Sequence, residues 1–161
     1  AGTMDDREVL ATGSLYAFSH DGTWKMLDTG YRVTNGPAFS PDGKTVYHSD
    51  SALQTVFAFE LSPSGELTNK RVFHQFSEGE GYPDGMASDP DGSIWIAMWD
   101  GHRVEKFSAK GERLGFVAVP AARPTSCAFL AADANQLYVT TAAIGCPVGD
   151  ATSGGLFSVR L

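Results

Sequence analysis

The chain has 161 residues, enough for one domain with its own core. Hydrophobic residues make up 42% and charged residues 19%, which argues against a disordered chain. Net charge is −7 with no basic cluster, so neither nucleic acid nor an anionic membrane surface is an expected partner. No apolar run is long enough to span a bilayer, and no charged n-region precedes an apolar stretch; the expected compartment is the cytoplasm.

Ala1-Gly2-Thr3-Met4 reads as the end of a strand already under way, and Asp5-Asp6-Arg7-Glu8 as a polar loop. Leu15–Phe18 and Trp24–Leu27 are short strands around a His20-Asp21-Gly22-Thr23 turn. Thr34-Asn35-Gly36-Pro37-Ala38-Phe39 opens the next unit. Ser40-Pro41-Asp42-Gly43-Lys44 turns into Thr45–Asp50, then Thr55–Phe59 and Lys70–Phe73 follow. Asp91-Gly92 is a hairpin turn before Ser93–Trp99, because Asp and Gly tolerate the positive φ of a tight turn. No segment holds a helical period, and 18 glycines suit short strands and turns.

The units repeat. Ala38, Ala87 and Ala128 read as the beginnings of equivalent strands, and Phe18, Phe59 and Phe107 as equivalent positions on outer strands. The spacing is roughly 40–50 residues with four strands per unit, the pattern of an all-β propeller. A blade cannot bury both faces alone, and stacking around an axis buries them. About three blades are legible, fewer than the roughly four to eight that close a ring. The expectation is one domain over 1–161 forming the C-terminal half of a propeller. A second half-propeller chain or a second copy would complete the ring, and Gly154–Leu161 reads as a finished outer strand.

In a propeller, residues just ahead of each first strand point into the channel mouth. Asn35-Gly36, Asp84-Gly85 and Thr125-Ser126 occupy those places, so Asn35 and Asp84 are expected to converge. The bland alternative for Pro83-Asp84-Gly85 is a second turn aspartate. Amide and carboxylate oxygens are hard donors suited to Ca²⁺, Mg²⁺ or Mn²⁺, and the aspartate also to Zn²⁺. Asp50 ends a second strand and reads either as a residue at or behind the channel wall or as a turn aspartate. His48 is expected exposed or locally bonded, and the three tryptophans as blade core or blade interface, with Trp99 near the mouth. Cys127 reads as a buried thiol; it and Cys146 lack metal-ligand spacing.

Asn35–Lys44, Tyr82–Met86 and Arg123–Phe129 resemble motifs of the SMP-30/gluconolactonase/luciferin-regenerating family, as do Ala1–Met4 and Leu137–Ala142. The motifs run in family order across nearly the whole chain. The resemblance implies a six-bladed propeller, one divalent metal in its channel (Ca, Zn, Mg, Mn or Fe) and hydrolysis of a sugar lactone to an aldonic acid. It makes Asn35 and Asp84 metal ligands, Asp84 also the catalytic base, and Glu8 a substrate contact beside the alternative of a solvated loop. The sequence departs from the family in two respects. The acidic ligand of the first blade has no counterpart, and neither do the substrate-binding Arg and Asn ahead of Gly-Thr-Met.

Overall fold

The computed structural model describes residues 1–130 and 133–161. Thirteen strands form four antiparallel sheets, with no helix among the described residues and hence none able to cross a membrane. The first sheet pairs β1 (Gly13–Phe18) with β2 (Trp24–Tyr31). The second runs β3 (Thr34–Phe39), β4 (Thr45–Asp50), β5 (Thr55–Leu61), β6 (Leu67–Gln75) in chain order. The third is β7 (Tyr82–Ser88), β8 (Ile94–Trp99), β9 (Arg103–Phe107) and β10 (Arg113–Ala118). The fourth is β11 (Pro124–Leu130), β12 (Asp133–Thr141) and β13 (Leu156–Arg160). Two sheets are therefore full four-stranded meanders and two are smaller. Residues 1–3 run beside β1, through a Gly2–Leu15 bridge and a Thr3 N–H to Ser14 C=O bond of 2.9 Å.

The hairpins share one turn chemistry. A glycine N–H returns to the carbonyl three residues earlier at Gly22, Gly43, Gly65, Gly92 and Gly111. Gly43 and Gly92 have φ of 68° and 84°, a region open to glycine at no steric cost. Beside Gly43, Asp42 accepts from Ser40 Oγ at 2.6 Å and from Lys44 N at 3.0 Å, which fixes the reversal.

Strand β8 explains how the sheets stack. Every residue of Ile94–Met98 is buried, so both faces of the strand are covered. Side chains alternate between faces along a strand. Ile94, Ile96 and Met98 join a core with Tyr47, Phe73 and Phe107 toward the second sheet. Trp95 joins Cys127, Leu137 and Val139 toward the fourth. Edge-on aromatic pairs knit the first core: Tyr47–Phe73 at 4.9 Å and Phe73–Phe107 at 6.0 Å between ring centres. Cys127 lies in the second core as a free thiol, and burial pushes its pKa up to about 12; Cys146 is also free.

The inner strands β3, β7 and β11 lie side by side, β7 in the middle. All three are irregular at the same place. Pairing jumps from Asn35–Ser49 to Ala38–Tyr47, from Pro83–Met98 to Met86–Ile96, and from Pro124–Thr141 to Ser126–Thr140. Each jump leaves an extra residue on the inner strand, a β-bulge, which bends the strand and re-aims its side chains.

Several sequence expectations shift. Ala38, Ala87 and Ala128 lie late in the inner strands, not at their starts, because pairing extends back through the bulges. Asp84 is therefore a strand residue, and Asp84-Gly85 is no hairpin turn. Phe18, Phe59 and Phe107 sit on strands that pair inward and outward, or on β1, and not on outermost strands such as β6 and β10. Residues Leu156–Arg160 form the third strand of their sheet. Trp95 is buried, but Trp24 is exposed on β2 together with Phe18 and Met26 of the first sheet.

His48 is 1% exposed and has no hydrogen-bond partner, contrary to the expectation that it is exposed or locally bonded, because β4 is covered by the first sheet on one side and the third on the other. Its ring stacks edge-on to Tyr31 at 4.9 Å, and neither ring nitrogen has a hydrogen-bond partner. Burial lowers its pKa from 6.5 to about 4; the terminal ammonium and Lys70 act in the same sense, against Asp28 and Asp50.

Two predictions follow from this packing. A Cβ on Gly85 would lie 2.6 Å from Ser126 Cβ and 2.8 Å from its Cα, so Gly85→Ala must push two inner strands apart. The expected loss in chemical denaturation is about 1–3 kcal/mol, partly recovered by adding Ser126→Gly. The second concerns acid. Below pH 6.5 the unfolded chain protonates His48 while the folded chain resists down to about 4. The contribution of His48 to stability is therefore full above pH 6.5 and falls by roughly 3 kcal/mol by the time pH passes the folded value, while Asp84, protonated earlier in the folded chain, acts in the opposite sense. Urea midpoints measured across that window for wild type and His48→Phe check this: the difference between the two proteins is expected to change by that amount from pH 6.5 to 4, and a constant difference refutes it.

Candidate functional site

A cleft of about 630 Å³ opens where the starts of β3 and β7 meet the ends of β4 and β8. Antiparallel pairing explains the gathering: the start of each inner strand faces the end of its neighbour, as Tyr82 faces Trp99. Asn35, Ser51, Tyr82, Asp84 and Trp99 line it from the sheets. Gly2, Met4 and Glu8 line it from the N-terminal segment. The two residues expected to converge, Asn35 and Asp84, share this cleft although they belong to different sheets.

Asp84 is half-buried, and its acidity is unusual. Burial pushes its pKa up to about 6, opposed only by the Gly85 N–H. No lysine, arginine or histidine pairs with it among the described residues. A partly desolvated carboxylate without a cationic partner is a seat for a cation or for a proton.

Asn35 is tied by its nitrogen. Its Nδ2 donates to Ser51 Oγ at 2.8 Å, and Ser51 Oγ donates to Pro83 C=O at 2.5 Å. The amide oxygen is left as a donor for a cation. The pair thus offers hard oxygen atoms, and the donor chemistry fits a divalent ion. Among the described residues no group of three or more His, Cys, Asp or Glu side chains gathers for a metal, so the two supply part of a coordination shell.

Glu8 is exposed and reaches the cleft from a loop closed by its N–H to Asp5 C=O at 3.0 Å. Asp5 Oδ2 accepts from Val9 N at 3.1 Å and Leu10 N at 3.3 Å, which lowers its pKa and holds the loop. Asp50 does not line the cleft. Its buried carboxylate accepts from Arg32 N at 2.9 Å and Val33 N at 3.2 Å, fastening the lead-in to β3 just ahead of Asn35. Thr125 hydrogen-bonds Thr140 at 2.8 Å and stays outside the cleft.

Sequence reasoning missed Ser51 and Tyr82. Both were findable from one rule: in an antiparallel meander, the end of a second strand and the start of a first strand share a rim. Trp99, on that rim, is backed by Arg123, whose guanidinium lies 4.9 Å over the indole and bonds Asp100 at 2.6 Å.

Residues 1–143 match the SMP-30/gluconolactonase/LRE-like region. The L-arabinolactonase of Azospirillum brasilense is 36% identical over 152 residues, covering 91% of this chain and 50% of the relative. The solved calcium-binding protein regucalcin from Agrobacterium tumefaciens superposes with a TM-score of 0.91 at 28% identity, over 98% of this chain and 55% of that one. A gluconolactonase from Xanthomonas campestris superposes with a TM-score of 0.75 at 28% identity, over 95% and 46%. The chain therefore spans about half the length of the relatives it matches.

Proposed function

The chain belongs to the SMP-30/gluconolactonase/LRE-like family, and from that premise we propose that it is the C-terminal half of a propeller that hydrolyses a sugar lactone to its aldonic acid with a divalent ion. The observation that carries the reading is the meeting of Asn35 and Asp84 in one cleft, with the Asp84 carboxylate lacking a cationic partner. Relatives named as lactonases support the substrate class. The remaining blades come from more chain or from a partner, a second copy included.

Asn35 Oδ1 and one Asp84 oxygen would hold the ion. Bound there, it supplies positive charge for a carbonyl oxygen that turns anionic during attack on the ring ester. Asp84 uses its other oxygen to accept a proton from the attacking water, a contribution of about 10²–10⁴-fold. A carboxylate is acidic enough to stay ionised at neutral pH, and burial makes this one more basic than most. Tyr82 and Trp99 line the same cleft with their rings, and Glu8 offers an acceptor for sugar hydroxyls from the N-terminal segment.

A rival reading keeps the ion and drops the chemistry. The calcium-binding regucalcin favours it. One experiment separates the two. In the assembled protein, Asp84→Ala is expected to abolish turnover of pentono- and hexonolactones while leaving the circular dichroism spectrum unchanged. Hydrolysis that persists in the variant refutes the assignment of Asp84. A wild type that binds the ion and hydrolyses no lactone supports the binding module.

A further inference from the structure

We infer that Ser51 is a positioning residue: its single hydroxyl hydrogen decides which atom of Asn35 is presented to the cation. The inference rests on the cation reading above and adds to it a residue that does not itself touch the ion.

The argument is one of proton counting. Ser51 Oγ lies 2.5 Å from Pro83 C=O, a contact tolerable only with a hydrogen between the oxygens. The carbonyl has none, so the serine provides it. A serine hydroxyl has one hydrogen and otherwise accepts. Toward Asn35, 2.8 Å away, it can therefore only accept, and the group facing it must be the Nδ2 amide nitrogen. The Asn35 oxygen is turned away from Ser51. Without Ser51 the two ends of the amide are nearly equal in shape, and nothing in this contact would choose between them.

Ser51 can impose this choice because its own position is fixed. It is 7% exposed. Its N–H donates to Val33 C=O at 2.9 Å, and its C=O accepts from Gln54 N at 2.9 Å. Ser49 Oγ reaches the same Pro83 carbonyl at 3.4 Å. The relay Asn35–Ser51–Pro83 also crosses from the second sheet to the third and ends on the residue before Asp84. One side chain thus sets the orientation of one oxygen donor and the backbone that carries the other.

The test is cation binding and needs no turnover. Ca²⁺, Mg²⁺, Mn²⁺ and Zn²⁺ are each titrated alone into wild type, Ser51→Ala, Ser51→Thr, Asn35→Ala and the Ser51→Ala/Asn35→Ala double variant by calorimetry. Losing a group that orients a ligand typically weakens metal binding about 10–100-fold, and Ser51→Ala is expected to do so. Ser51→Thr, which keeps the hydroxyl, returns affinity to within a few-fold of wild type. In the Asn35→Ala background, Ser51→Ala costs little more, because the group it orients is gone. Equal binding by Ser51→Ala and wild type overturns the inference and leaves the cation reading standing. An undiminished effect of Ser51→Ala without Asn35 also overturns it, assigning Ser51 to general packing. A wild type that binds none of the four ions overturns both.

Discussion

The close approach of the inner strands is the constraint from which the rest of the structure follows. Gly85 lies so near Ser126 that no side chain fits between β7 and β11 at that level. On the other flank, Gly36 faces Met86, where an added Cβ would stand 3.2 Å from the methyl carbon. At this height each inner strand also carries a bulge in the pairing with its own second strand. The bulges turn the residues just ahead of the glycines toward the rim. The placement of Asn35 and Asp84 in the cleft and tight packing at Gly36 and Gly85 thus share one local geometry.

Outside the axis, ordinary burial does the holding. Two apolar cores fill the spaces between successive sheets, and the alternation along β8 distributes its side chains between them. Burial of such side chains contributes about 1.5–3 kcal/mol each, so the stack resists small changes at the rim. The first and second sheets are joined differently. Lys70 bonds Asp28 at 2.6 Å, Asp28 accepts from Tyr31 Oη at 2.5 Å, and the ammonium lies 4.6 Å over both Tyr31 and Phe57. A partly exposed cluster of this kind is worth less than a core of equal size.

Much of the fold was legible because its signals are local. Asp-Gly and Ser-Gly pairs mark hairpins at Gly22, Gly43, Gly65 and Gly92, with Asp84-Gly85 inside a strand as the exception, and the spacing of like strands betrays the repeat. The convergence of Asn35 and Asp84 was legible for the same reason, since repeating units place corresponding residues on one axis. What escaped is what depends on neighbours distant in sequence. Thr45–Asp50 has mixed polarity, and within it His48 reads as exposed or locally bonded, yet β4 is covered on both faces and His48 is buried with it. The role of Ser51 is invisible without knowing that Pro83, 32 residues on, lies against it. The bulges escaped too, because register is a property of paired strands and neither strand alone specifies it.

The electrostatics single out Asp84 by contrast. The other buried or half-buried acids in the sheets are answered by donors. Asp89 accepts from Ser93 N at 2.8 Å and Trp95 Nε1 at 3.0 Å, with Lys106 at 3.3 Å. Glu105 lies between Arg103 and Arg113, each at 2.6 Å, so its charge is paired, although Oε2 makes its ion pair without hydrogen-bond geometry. Asp50 is capped by two backbone N–H groups. These partners make the charged form comfortable and chemically inert. Asp84 has no such partner, and its desolvation goes uncompensated by anything but the Gly85 N–H. A fold that pairs its other enclosed carboxylates with donors, and withholds that treatment from the one in the cleft at the strand starts, leaves that carboxylate open to whatever cation or proton enters.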